Sequence, residues 1–279
     1  MILYISADME GATGVVSPEQ VDSKSPLYKF GCSMQRHDVE AVVRAALEWG
    51  VESIRVNDSH DTMTNLSAAA WDFPGGVELI SGDTKTLGMV EGVVGADVAF
   101  FLCYHAMAGT EKAVLDHTYS ASMVYELRIN GQKVGETGLN AFLCGALGVP
   151  VGMVSGDTAL CLEAESLLGG GVVACRVKEG AGRFAAKTAA PEVTAGLLAA
   201  SAKAALDRAR ERKAPRLEFS SPYRMELTCH HTSQADASAL VPGTERISGR
   251  TVAVTTSDAL ELRRYINSWC CSAGAAKPF

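Results

Sequence analysis

The chain has 279 residues and a mass of 29.4 kDa, with 47% hydrophobic and 20% charged residues and a mean hydropathy of +0.10. That is enough apolar material to bury a sizeable core, and it excludes disorder as a description of the whole. Lys and Arg number 25 against 32 Asp and Glu, a formal charge of −7, which argues against nucleic acid and membrane as partners.

In chain order, residues 2–6 form a first strand-like run. Residues 34–49 carry Val39, Val42, Val43, Ala46 and Leu47 on one helical face, and Gly50 follows as the residue that ends such a helix. Strands are expected at 53–56, 77–80 and 98–103, with a short helix at 87–94 between the last two. Residues 124–129 and 132–134 flank Asn130-Gly131, the strongest short signal for a hairpin. A helix at 139–147, a strand at 151–155, a helix at 160–168 and a strand at 172–177 follow. The uncharged run 137–156 has membrane length, but its Pro150 and four glycines divide it into a helix, a turn and a buried strand.

Pro191 opens an Ala-rich helix reaching to about Lys213, and its basic end (Arg208, Arg210, Arg212, Lys213) complements the helix dipole. Strands at 225–229 and 251–255 and a helix from Asp258 that carries Trp269 complete the chain. The pattern implies an α/β fold of three layers, with a mainly parallel sheet interrupted by an antiparallel hairpin excursion. An α/β region over 1–165 and an α+β region packing on it over 166–279 are expected.

The eight cysteines are irregularly spaced, without a single Cys-x-x-Cys pair, and most sit among apolar residues. With no basic, apolar leader pattern at the start, free thiols in a reducing cytoplasm are the expected setting.

Ligands of open α/β sheets bind beyond the carboxyl ends of the strands. The first strand ends in Asp8-Met9-Glu10-Gly11 and the second in Asn57-Asp58-Ser59-His60. The strand at 98–103 ends in Tyr104-His105, and the second hairpin strand in Gly135-Glu136. Each end delivers a carboxylate or an imidazole to one face of the sheet. Asp8 and Glu10 are two apart and share a side if the extended geometry persists. Carboxylates crowded in this way repel each other, and a divalent cation removes the conflict. Imidazoles with carboxylates and no thiolates suit catalytic zinc, or manganese or cobalt. Five candidates (Asp8, Glu10, His60, His105 and Glu136) exceed what one tetrahedral ion takes beside a water, so two ions sharing a carboxylate fit better.

His117 lies in the loop before the hairpin and is placed to reach the same crevice. His37, His230 and His231 read as structural or solvated.

Several motifs occur in order: Ser6-Ala7-Asp8-Met9-Glu10-Gly11, Val56-Asn57-Asp58-Ser59-His60, Ile80-Ser81-Gly82-Asp83, Met89-Val90-Glu91-Gly92, Tyr104-His105-Ala106, Val134-Gly135-Glu136-Thr137-Gly138-Leu139-Asn140-Ala141 and Pro242-Gly243-Thr244-Glu245. In these the chain resembles the zinc-dependent D-aminopeptidase family. The resemblance implies a dinuclear zinc peptidase that removes an N-terminal residue from short peptides, with preference for D-amino acids. It implies Asp8 as the bridge between two zincs, Glu10 and His60 completing one site, and His105 and Glu136 the other. His117 would be the nearby catalytic histidine, as base, nucleophile or oxyanion stabiliser. It also implies a homo-oligomer, a decamer of stacked pentameric rings.

Two other functions compete: a dinuclear metallohydrolase acting on a non-peptide substrate, and a non-catalytic peptide-binding accessory protein. The second has no use for five convergent metal ligands.

Overall fold

The computed structural model describes residues 1–67, 71 and 75–276. Its first half runs β1 (Ile2–Ala7), α1 (Tyr28–Trp49), β2 (Ser53–Asp58), β3 (Val77–Ile80), β4 (Val98–Leu102), β5 (Val124–Ile129), β6 (Gln132–Lys133) and α2 (Glu136–Ala146). The second runs β7 (Val151–Asp157), α3 (Thr158–Leu168), β8 (Val173–Gly182), β9 (Ala185–Thr188), α4 (Pro191–Arg210), β10 (Tyr223–Cys229), α5 (Thr232–Ser238), β11 (Glu245–Arg246), β12 (Thr251–Thr256) and α6 (Ala259–Ala275).

Seven strands form one sheet in the order β3-β2-β1-β4-β7-β8-β9, parallel except for β9 at its edge. A strand inside a parallel sheet is covered on both faces and must be apolar on both. β1 obeys this. Leu3, Ile5 and Ala7 face α1 and α4, packing with Val39, Val42, Val43, Leu198 and Ala202. Tyr4 points the other way, into a core shared with Phe101, Phe142, Leu127, Leu227 and Trp269. Fully burying each large apolar side chain contributes about 1.5–3 kcal/mol, so these two cores hold the sheet between its covering layers.

The Asn130-Gly131 turn has φ of 48° and 82°, the left-handed pair a tight hairpin requires. The hairpin it closes starts a second, antiparallel sheet, β11-β12-β10-β5-β6, in which β10 lies between β5 and β12. α5 and α6 pack on that sheet and on each other, and α6 also meets α2.

Several elements differ in extent from their sequence pattern. α1 begins at Tyr28 rather than Met34. The helix expected at 87–94 is one 3-10 turn, Gly88–Val90, because Gly88 and Gly92 take φ of 55° and 83°. This turn is fastened to the sheet, where the Met89 carbonyl accepts from Tyr4 Oη (2.8 Å) and Ser6 Oγ (2.7 Å). β8 runs on to Gly182 to pair with β9, and α4 ends at Arg210, while Arg208 donates to the carbonyls of Gly170, Gly171 and Val172. β6 is only two residues long and ends at Lys133, three residues before Glu136. Glu136 is the first residue of α2, where the helix N-terminus favours a carboxylate.

The run 137–156 divides into α2 and β7, and no helix among the described residues is long and apolar enough to cross a membrane. All eight cysteines are free.

Candidate metal centre

β1, β2 and β4 are adjacent and in register, with Ala7 opposite both Asp58 and Leu102. The segments leaving their carboxyl ends therefore emerge side by side. Asp8 continues the ladder through its N–H to Leu102 O (2.9 Å), and Gly11 N–H closes onto Cys103 O (2.7 Å). Only glycine fits at position 11, since a Cβ there would fall 1.9 Å from the Tyr104 carbonyl oxygen.

All five strand-end candidates meet, and His117 joins them. His60 Nδ1 lies 3.3 Å from Asp8 Oδ1 and 3.1 Å from Glu10 Oε2. On the other side, His105 Nε2 lies 3.5 Å from Asp8 Oδ2 and 3.2 Å from Glu136 Oε1. Asp8 thus turns one oxygen to each histidine. The His117 ring stacks on His105 at 3.9 Å and 13°, with its Nε2 3.7 Å from Glu136 Oε1. Two groups of donors result, each within 4.8 Å: Asp8, Glu10 and His60, and His105, His117 and Glu136.

Backbone carbonyls orient the imidazoles. His60 Nε2 meets Val21 O (2.8 Å), His105 Nδ1 meets Ala106 O (3.0 Å), and His117 Nδ1 meets Leu115 O (2.8 Å). A ring nitrogen facing a carbonyl carries the hydrogen, which leaves the opposite nitrogen with its lone pair aimed into the centre. Tyr119 N–H donates to Glu136 Oε1 (2.7 Å) and fixes that carboxylate.

The electrostatics are strained. Burial, and next the Glu10 charge, push the Asp8 carboxyl up to about 8. Glu10 is equally buried, yet the neighbouring His60 holds it well below the usual carboxylate range. His60 and His105 are pushed above the usual imidazole value against their burial, mainly by Glu10 and Glu136 respectively. His117 goes the other way, lowered by burial and by His105.

Asp8 Oδ2, Glu10 Oε2 and His105 Nε2 are buried and make no hydrogen bond among the described residues. Buried polar atoms are normally satisfied, and a cation is the partner that three such lone-pair donors share. The residues fit divalent metal ions.

The centre forms one wall of a cavity of about 490 Å³. Sequence reasoning missed the residues that shape its surroundings. One is Lys178, fully interior on β8, whose Nζ donates to the carbonyls of Glu10 (2.5 Å), Ala12 (2.9 Å) and Val15 (2.6 Å). Burial lowers its pKa to about 8. Three others, Arg263, Asn267 and Cys270, come from α6. His37 lies apart, paired with Asp38, and His230 sits edge-on to Tyr125.

A parallel α/β sheet that gathers imidazoles and carboxylates at its carboxyl ends, with unpaired donor atoms and an open cavity beside them, is the framework of a metallohydrolase. Residues 1–268 match the family model described as D-aminopeptidase, and the chain belongs to that family. It is 36% identical over 268 residues to a D-aminopeptidase of Bacillus subtilis (strain 168), covering 94% of this chain and 93% of that one. It superposes on the solved structure of the Zn-dependent D-aminopeptidase DppA from Bacillus subtilis, a self-compartmentalizing protease, with a TM-score of 0.94 at 33% identity over 100% of both chains.

Proposed function

We infer that this protein is a dinuclear zinc aminopeptidase that hydrolyses the first peptide bond of short peptides and prefers a D-residue at the N-terminus. The observation that carries the reading is the convergence of five buried donors, with Asp8 turning one oxygen toward His60 and the other toward His105. Asp8 is the shared ligand, Glu10 and His60 complete one site, and His105 and Glu136 complete the other. Bound zinc ions supply Lewis acidity for the scissile carbonyl and for the attacking water.

His117 supplies the proton chemistry. Its Nδ1 hydrogen is committed to Leu115 O, so Nε2 is the free base facing the cavity. Nε2 takes a proton from the attacking water and returns it to the departing amine. Tyr119 keeps Glu136 in place through its N–H, and Met63, Met89 and Met123 give the cavity apolar surface for the peptide to lie against. The acidic rim formed by Asp22, Asp61 and Asp83 attracts a free ammonium group, which suits an enzyme that acts at the N-terminus.

The described self-compartmentalizing relative supports a homo-oligomer, and we extend to this chain the decamer that its sequence resemblance implies. Free thiols support a cytoplasmic setting.

The test combines elemental analysis with a substrate panel. Two zinc ions per chain are expected, with D-aminoacyl dipeptides cleaved faster than their L-counterparts and phosphate esters untouched. Chelation should abolish turnover, and added zinc should restore it. Zinc-loaded protein that cleaves phosphate esters and no peptide would overturn the reading.

A further inference from the structure

The wall of the cavity formed by α6 has a charge that nothing in the centre uses. Arg263, Asn267 and Cys270 stand at i, i+4 and i+7 on one stripe of that helix and face the cavity, while Leu262, Ile266 and Trp269 fill the core. Arg263 is only 5% exposed. Among the described residues it has no carboxylate partner, and its Nε is buried without an acceptor. Buried guanidinium groups are ordinarily paired.

An aromatic face and a glycine hold this one. Its Cζ lies 5.5 Å over the Tyr119 ring, and its Nη2 and Nε edge rests against Gly88, where a Cβ would come within 2.0 and 2.5 Å of them. The side chain is fixed in position, and its demand for an anion is unmet.

We propose that Arg263 binds the C-terminal carboxylate of the peptide substrate, a subsite that rests on the peptidase reading above. A planar guanidinium meets a carboxylate through two parallel hydrogen bonds, and the attraction between the two charges strengthens when water is excluded. The cavity then reads both ends of a short peptide, with the ammonium drawn to the acidic rim and the carboxylate held on α6. The favoured class is the dipeptide or tripeptide with a free carboxylate. Capped peptides leave the buried charge unpaired and are disfavoured.

The experiment compares D-alanyl-glycine with D-alanyl-glycinamide on the zinc-loaded enzyme. The free acid should have a kcat/KM tenfold to a hundredfold higher, mostly through KM, the scale of one charge-assisted contact. In Arg263→Gln the acid should fall to the rate of the amide, with the amide changed by less than about threefold, and Arg263→Lys should recover part of the loss. Equal loss on both substrates would mark a structural residue and overturn the proposal. If Arg263→Gln does not fold, the wild-type ratio decides alone, and a ratio near one overturns it. D-alanyl-aspartic acid α-amide, which carries only a side-chain carboxylate, should behave as the amide; rates matching the free acid would overturn the main-chain assignment.

Should neither peptide be cleaved, the peptidase reading falls and the subsite is judged by melting temperature. The free acid should then stabilise wild type more than the amide does, and not Arg263→Gln. Equal stabilisation of wild type by both would sink it.

Discussion

Asp8→Asn is expected to lower activity without lowering metal-free stability. Activity should fall by at least about 10³-fold, the scale of losing one electrostatic contributor to the transition state. Zinc content should drop from two per chain to one or none, because both donor groups draw on the same carboxylate. In chelator-treated protein the same change should leave the melting temperature unaltered or raise it by about 2–4 °C for each kcal/mol gained. Asp8, Glu10 and Glu136 are all buried within one cluster, and without cations their mutual repulsion is a cost that the amide removes. Calorimetry with and without zinc, alongside elemental analysis, reads both arms. Two zinc ions and full activity in the variant would show that Asp8 is not the shared ligand.

Lys178→Met should be strongly destabilising. The ammonium group satisfies three carbonyls of the loop 10–15, which leads away from Glu10. Methionine fills the volume and donates nothing, so three interior carbonyls lose their partner. Each unsatisfied buried group costs about 1–3 kcal/mol, and a total of roughly 3–5 kcal/mol allows for partial relaxation. The melting temperature should fall by on the order of 10 °C. Zinc affinity should weaken by about 10–100-fold, as when a ligand loses its support, read by competition with a chelator. Lys178→Arg should not rescue, since the bulkier guanidinium has no room in a fully buried site. A variant with wild-type melting and zinc affinity would show that the loop holds itself.

The four ligand candidates at the ends of β1, β2 and β4 were legible because an apolar strand announces both its position and its direction. Asp8, Glu10, His60 and His105 each follow such a run within three residues, and register then brings them together. Glu136 was legible as a residue but not as an element. Its expected strand stops at Lys133, and Gly135 turns the chain into α2. His117 had only proximity in the sequence to recommend it. Its loop is shaped by positive φ at Lys112, Leu115 and Tyr119, which no local pattern encodes.

Lys178 and Arg263 were illegible for a common reason. A lysine beside Glu179 and Gly180 looks like a solvated strand end, and an arginine in Leu262-Arg263-Arg264 looks like the polar face of an amphipathic helix. Only the packing of β8 against the loop 10–15, and of α6 against the cavity, places either in the interior. The second sheet was hidden similarly, since pairing β5 with β10 joins residues about a hundred positions apart.

The register that seats Ala7 between Asp58 and Leu102 has a bearing on how this protein dies in heat. Asp8, Glu10, His60 and His105 leave the carboxyl ends of neighbouring strands in the middle of one sheet, while Glu136 comes from α2 and His117 from a loop. Central strands of this kind are generally among the last segments to open. The four strand-end donors are therefore tied to the stability of the sheet itself. With zinc kept bound, heat inactivation should then coincide with melting of the folded core, whereas chelation should remove activity and leave the fold standing.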